Sequence, residues 1–204
     1  MTDPSSATAA QRPLLLLWGA MASGKSTVGR LVAGRASCPF WDLDDRIEQA
    51  SGQSIAALFA RRGEPGFRAL EQAELTGLLD EALGQSQPVA VALGGGALLD
   101  PRLRQRALDE AFVVTLTARP DTIVARALAG RDDPATDERR HRPLLRGPDP
   151  GATVAHLLKQ REAAYRQAHA VVVTDERSPG EVAEAVWAHW TGARQSIDPG
   201  KRTS

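Results

Sequence analysis

Gly19, Gly24, Lys25 and Ser26 stand in the run LLLLWGAMASGKST at the spacing G-x-x-x-x-G-K-[ST]. A turn of this kind surrounds phosphate oxygens with backbone N–H groups, and the positive end of the following helix adds to the attraction. Lys25 supplies a point charge against the β- and γ-phosphates, and Ser26 offers a hydroxyl to Mg2+. Ala22, Ser23 and Thr27 complete the stretch expected to touch the nucleotide. An apolar strand before the loop and a helical pattern after it are the context that the motif requires. An ordinary strand-to-helix turn is the alternative, and that context weighs against it. A nucleoside triphosphate, with ATP as the expected form, is the implied ligand.

Further along, carboxylates and arginines recur at spacings that could serve an acceptor. In FWDLDDRIE, Asp42 and Asp44 are two residues apart, so an extended segment points both carboxylates the same way. One could hold Mg2+ or its waters, while the other orients and deprotonates an acceptor hydroxyl. Helix capping also explains many such pairs, and Asp45 and Glu48 fit the first turn of a following helix. In GEPGFRALEQAEL, Arg68 and Glu71 share one helical face and can pair. Arg161 and Tyr165 are one turn apart on a later helix. Arg142, in HRPLL, ends a charged stretch from which it could reach the phosphates. In VALGGGALL, Gly94, Gly95 and Gly96 follow an apolar run directly, as expected where a backbone must approach something closely.

The elements that must position these residues follow from hydrophobic patterning. Leu14–Trp18, Val89–Leu93, Phe112–Leu116 and Val171–Val173 are apolar runs without polar alternation, as in strands covered on both faces. Helical patterns cover Lys25–Ala36, Ser54–Arg62, Glu64–Leu83, Asp121–Ala129, Thr153–Ala168 and Pro179–Trp190. Such alternation implies an α/β fold with a parallel sheet. Trp187 and Trp190, three apart on the last helix, are expected as core anchors. The charged stretch RDDPATDERRHRP reads as a long solvated loop, and long loops often act as lids. Residues 1–12 and 192–204 are small and polar and are expected to be disordered tails, leaving a single domain over 13–191.

Composition narrows the function classes. The chain has 204 residues, enough for one ordinary domain. Its 25 basic and 25 acidic residues cancel, so no overall field favours nucleic acid or an acidic membrane. The basic residues are nearly all arginine, with lysine only at Lys25, Lys159 and Lys201; a coding preference explains this. Cys38 is the single cysteine, which fits a reducing cytoplasm and a small buried hydrophobe. The longest apolar stretch, LLLLWGAMA, is too short to span a bilayer. A monomer without nucleic-acid or membrane partners is expected.

Taken in order, GAMASGKSTVGR, DLDDRIEQASGQSIAALFARRGEPGFRALE, LGGGALL, RPLL and REAAY resemble shikimate kinase, over about Leu14 to Trp190. The resemblance implies a P-loop NTPase-type three-layer fold: a five-stranded parallel sheet flanked by helices, with a lid (about 131–146) and a small substrate-binding subdomain. It implies transfer of the γ-phosphoryl group of MgATP to the 3-hydroxyl of shikimate, in chorismate and aromatic amino-acid biosynthesis. By position, Lys25 and Ser26 would serve the phosphates and Mg2+, and Asp42 would support the metal through water. Asp44 would hold the acceptor hydroxyls and act as base or orienter. Arg68 and Arg161 would grip the carboxylate of shikimate, with Glu71 steadying Arg68. The Gly94–Gly96 loop would donate a backbone N–H in a space where a side chain would collide with the ring. Arg142 would close on the transferring phosphate, and Arg131 and Pro179 would hold adenine.

The chain departs from the family pattern at four places, one of them VVVTDERSP, which swaps the order of a VDT common before Pro179. Ala22 stands where many members carry another loop glycine, Leu43 replaces a residue that is often threonine, and the lid is longer than usual. The rival readings are a kinase for another small hydroxy acid such as gluconate, and a non-catalytic ATP-binding module. The joint presence of Lys25, Ser26, Asp42, Asp44, Arg68, Arg142 and Arg161 argues against the second.

Overall fold

The computed structural model describes residues 13–129 and 149–195. The whole of the expected lid, with Arg131 and Arg142, therefore lies outside the described residues, as do the tail 1–12 and the last residues 196–204.

The strand β1 (Leu14–Gly19) is buried along its length. Successive residues of a strand face opposite ways. Leu14, Leu16 and Trp18 enter one core cluster while Leu15 and Leu17 enter another. Both faces are covered, which is why the run is apolar at every position. β1 lies at the centre of a five-stranded sheet with β2 (Phe40–Asp42), β3 (Val89–Ala92), β4 (Phe112–Thr117) and β5 (Ala170–Val173). The order is β2-β3-β1-β4-β5, and every pairing is parallel. Leu14 pairs with Val89 and Leu15 with Phe112, so β3 flanks the strand of the phosphate loop, as expected.

Seven helices are described: α1 (Lys25–Ala36), α2 (Leu43–Ser51), α3 (Ile55–Leu83), α4 (Pro101–Glu110), α5 (Pro120–Ala129), α6 (Pro150–Tyr165) and α7 (Pro179–Gln195). The cluster around Leu14, Leu16 and Trp18 takes in Leu43 and Ile47 of α2, Leu75, Leu78 and Leu79 of α3, and Leu103 and Ala107 of α4. The opposite cluster joins Val28 and Val32 of α1 to Val182, Val186 and Trp190 of α7. This is the three-layer α/β architecture implied by the resemblance.

Several details differ from the sequence reading. β2 was not among the expected strands, because it is three residues long and only half-buried. α4 was also unexpected; Asp100 caps it by accepting from the N–H groups of Arg102 and Leu103, with Pro101 in its first turn. The two helices expected on either side of Gly63 form one kinked element, with Gly63 at φ 65° and ψ 179°. α7 runs to Gln195, so residues 192–195 are helical rather than part of a tail. Val171 and Val173 are exposed although apolar, because β5 is an edge strand covered on one face.

Trp190 is fully buried and meets Trp187 edge to face at 6.0 Å. Cys38 is half-buried against the α1–α7 cluster. Among the described residues, no helix is long and apolar enough to cross a membrane.

Gly19 closes β1 at φ 130°, and a Cβ there would overlap the backbone carbonyl oxygen of Leu116 in β4. Because the obstacle is backbone in a central strand, neither partner can turn aside. Gly19→Ala is expected to lower unfolding free energy by about 3 kcal/mol, read from the urea-denaturation midpoint. A loss under about 1 kcal/mol would mean that the β1–β4 ladder yields at this point.

Candidate active site

In a parallel sheet the residues at the carboxyl ends of the strands share one edge, and a crevice opens where neighbouring connections leave in opposite directions. Here β1 continues to the β2 side of the sheet, whereas β3 connects through α4 to β4 on the other side of β1. The cleft at that point has a volume of about 730 Å³. Its walls include the loop from Met21 to Thr27, Asp42 and Asp44, Arg68 and Glu71, Gly94 to Gly96, Arg161 and Pro179. Every described residue singled out for the site reaches this cleft except Gly19, which is buried beneath it.

The phosphate loop is held by its own backbone. Ala22 and Gly24 have φ of 55° and 97°, the left-handed conformations that let consecutive N–H groups converge. Ala22 thus sits where glycine would be unstrained, which gives the departure from the family pattern a physical cost. The Lys25 ammonium donates to the Ala20 carbonyl at 2.8 Å. Ser23 is fully buried, and its hydroxyl has no hydrogen-bond partner among the described residues.

Asp42 and Asp44 are not side by side on an extended segment. Asp42 ends β2 and caps α2, accepting from the Asp44 N–H at 3.1 Å through Oδ1, while Asp44 lies in the first helical turn. Its other oxygen, Oδ2, accepts from the Ser26 hydroxyl at 2.6 Å. The capping reading of Asp42 therefore holds through Oδ1, while Oδ2 faces the Ser26 hydroxyl. Ser26 and Asp42 present hard oxygen donors side by side, the kind that suits Mg2+ when phosphates and waters supply the remaining ligands. Glu48 does not sit in the first turn of α2; its carboxylate instead accepts from the Ile55 N–H at 2.9 Å and caps α3.

Asp44 is open to solvent on the cleft side yet crowded by protein elsewhere. Burial first, then the negative charges of Asp42, Glu71 and Glu48, push its carboxyl up to about 7 against the pull of Lys25. A carboxyl titrating there suits proton transfer near neutrality.

Across the cleft, Glu71 is 1% exposed and accepts from Arg68 at 2.5 Å. Burial raises its proton affinity, and Arg68 and Arg161 oppose that rise. Arg68 also reaches Glu64 at 3.4 Å and lies over the Phe67 ring, which stacks on Phe59 across the Gly63 kink. Arg161, on α6, is 9% exposed. Arg68 and Arg161 both line the cleft, and the planar fork of a guanidinium suits a ligand carboxylate.

The three glycines make room for these groups. A Cβ on Gly94 would overlap the Glu71 carboxylate, and one on Gly96 the Arg68 guanidinium. On Gly95 it would sit 3.1 Å from both Arg161 Nη1 and the Gly19 carbonyl oxygen. None of the three has positive φ, so close approach rather than turn geometry requires glycine. The expectation that a side chain here would take a ligand's space is amended: the protein's own charged side chains already occupy it.

Wall residues beyond those singled out in the sequence include Arg126, Thr174 and Arg177. Arg126 of α5 donates to the Thr174 hydroxyl at 2.8 Å and to its carbonyl at 2.7 Å, and both residues line the cleft that Pro179 also lines. With Arg131 outside the described residues, Arg126 and Arg177 are described arginines that line the cleft together with Pro179. The 48-residue separation of Arg126 from Thr174 left no local signal for their pairing.

The family model described as shikimate kinase matches residues 21–190. The shikimate kinase of a Synechococcus species is 39% identical over 188 residues, covering 92% of each chain. That of Pseudomonas syringae pv. tomato is 40% identical over 166 residues, 81% of this chain and 88% of its own. Among solved structures, shikimate kinase from Acinetobacter baumannii in complex with shikimate superposes with a TM-score of 0.76 at 29% identity, covering 88% of this chain and 93% of that one.

The elevated Asp44 value ties stability to pH. Its carboxyl titrates near 3.8 when unfolded and about 7 when folded, so folding favours the protonated form. The stabilisation it contributes is complete below the lower value and is lost as pH rises through the higher one. Asp44→Asn is therefore expected to raise Tm relative to the unaltered protein more at pH 8 than at pH 5. Equal shifts at both pH values would place the carboxyl back at its ordinary value.

Proposed function

The chain belongs to the shikimate kinase family, and we propose that it transfers the γ-phosphoryl group of ATP to the 3-hydroxyl of shikimate, feeding chorismate and aromatic amino-acid biosynthesis in the cytoplasm. The observation that carries this reading is the single cleft in which Lys25 and Ser26 of the phosphate loop face Asp44, Arg68, Arg161 and the Gly94–Gly96 loop. A nucleotide site alone would serve many activities; the acceptor wall supplies the substrate class.

In the proposed reaction the acceptor oxygen forms a bond to the γ-phosphorus as the bond to the β,γ-bridging oxygen breaks, and ADP leaves. Asp44 takes the hydroxyl proton on its carboxylate, which is available above about 7 in the empty cleft. Arg68 and Arg161 hold the shikimate carboxylate, and Glu71 keeps Arg68 in place through its 2.5 Å bond. Lys25 and the loop N–H groups carry the phosphate charge, which is most of what such a transfer asks of a protein. Ser26 and Asp42 would hold Mg2+, which when bound neutralises charge on the β- and γ-phosphates. Arg126, Arg131 and Pro179 are assigned to the adenine end and Arg142 to the transferring phosphate, acting in a monomer. A gluconate-type acceptor would also present a carboxylate to the arginine pair, but the relatives that match most of the chain at about 40% identity carry the name shikimate kinase.

ADP release with MgATP and shikimate, with gluconate, or with no acceptor tests the reading. Release with shikimate alone is expected; release with gluconate alone would transfer the reading to another hydroxy acid. Asp44→Asn should lower kcat by about a hundredfold or more while ATP still binds. Arg68→Ala should raise KM for shikimate about tenfold or more and leave KM for ATP within about twofold. Equal damage to both constants would put Arg68 outside the acceptor subsite.

A further inference from the structure

Trp18 and Tyr165 converge on one backbone oxygen at the acceptor wall. The Trp18 indole N–H donates to the Gly95 carbonyl at 3.3 Å, and the Tyr165 hydroxyl donates to the same oxygen at 3.0 Å. The rings meet edge to face at 4.6 Å, with 1% and 6% of each residue exposed. A carbonyl oxygen has two lone pairs, and here both are used from within the core. Turning this peptide would break two buried hydrogen bonds and leave two buried donors unpaired.

The peptide unit is planar and trans, so fixing the Gly95 carbonyl fixes the Gly96 N–H in the opposite direction, away from the ring pair. No acceptor among the described residues takes that N–H. Gly96 lines the cleft, with its α-carbon close against the Arg68 guanidinium.

The anchoring extends beyond the rings. Arg161, one helical turn earlier, is close enough to stabilise the Tyr165 phenolate electrostatically, and the Tyr165 carbonyl accepts from the Thr115 hydroxyl of β4 at 3.0 Å. Beyond the glycines, Arg104 donates to the carbonyls of Leu98 and Leu99 at 2.9 and 3.0 Å. The loop is therefore held at both ends, and a glycine-rich stretch that would otherwise be pliable has one orientation.

We propose that Trp18 and Tyr165 are positioning residues: by fixing the Gly95 carbonyl they aim the Gly96 N–H at the acceptor's carboxylate beside Arg68. This rests on the acceptor wall being the shikimate subsite. Neither residue touches the substrate, and their effect is confined to acceptor recognition. Trp18 immediately precedes Gly19, so the strand that ends in the phosphate loop also anchors the loop that meets the acceptor.

Tyr165→Phe removes one oxygen and keeps the ring; Trp18→Phe removes the indole N–H and keeps an aromatic ring. Each is expected to raise KM for shikimate about threefold, and the double variant about tenfold, with KM for ATP unchanged within about twofold. A buried aromatic with a merely structural role would lower Tm without separating the two constants. In the 1H–15N spectrum, shikimate should shift the Gly96 amide of the unaltered protein and shift it less in Tyr165→Phe. Unchanged KM for shikimate together with an unchanged Gly96 response in folded Tyr165→Phe would overturn the assignment. If Trp18→Phe fails to fold, Tyr165→Phe alone decides between these outcomes. Absence of turnover by the unaltered protein with shikimate would overturn the functional reading itself, a failure distinct from that of the positioning role.

Discussion

A carboxylate with 1% exposure cannot stay ionised unless cations stand beside it, and Glu71 is such a carboxylate. Its partner Arg68 lies one turn away on the same helix, and Arg161 approaches from α6 on the far side of the chain. Much of the site follows from satisfying this one charge. Arg68 is fixed by Glu71 at one end and supported by Phe67 beneath, so its remaining donors face the cleft in a set direction. The glycines of the β3 loop are required because Glu71 and Arg68 already fill the positions that their Cβ atoms would take. Holding Glu71 between Arg68 and Arg161 thus places two guanidinium groups at one wall of the cleft.

The sheet supplies the frame in which this cluster faces the phosphate loop. Parallel strands bring their carboxyl ends to one edge, so residues 19, 42 and 94 become neighbours despite their distance in sequence. The order β2-β3-β1 sets the Gly94–Gly96 loop directly beside the phosphate loop, so close that a Cβ on Gly95 would stand 3.1 Å from the Gly19 carbonyl oxygen. Asp42 joins the halves, as its two oxygens bond Ser26 on one side and the first turn of α2 on the other.

Strain and proton affinity are concentrated at the same edge. Ala22 and Gly24 hold left-handed backbone conformations, and Asp44 titrates about 7, among Asp42, Glu71 and Glu48. Each feature opposes folding in isolation, and each is sustained by the two apolar clusters that cover the faces of the sheet. The core thus sustains a polar edge that would not assemble by itself.

The phosphate loop was legible in the sequence because its chemistry is local: two glycines, a lysine and a serine fall within eight residues between a strand and a helix. The parallel α/β class, the break at Gly63 and the Arg68–Glu71 pair were legible for the same reason, since each depends on periodicity or on neighbours within one turn. Pairings between distant elements were not. Nothing local ties Arg126 to Thr174, or Trp18 to Gly95, because those contacts form only when segments 48 or more residues apart are brought together by the fold. Even residues found by type were given their geometry by the tertiary structure. Asp42 and Asp44 are separated by a helix start that a three-residue strand did not announce, and the triple glycine answers to buried charges contributed by α3 and α6. Sequence determined which groups could do the chemistry; packing decided which of them meet, because burial and proton affinity depend on neighbours that only the folded chain provides.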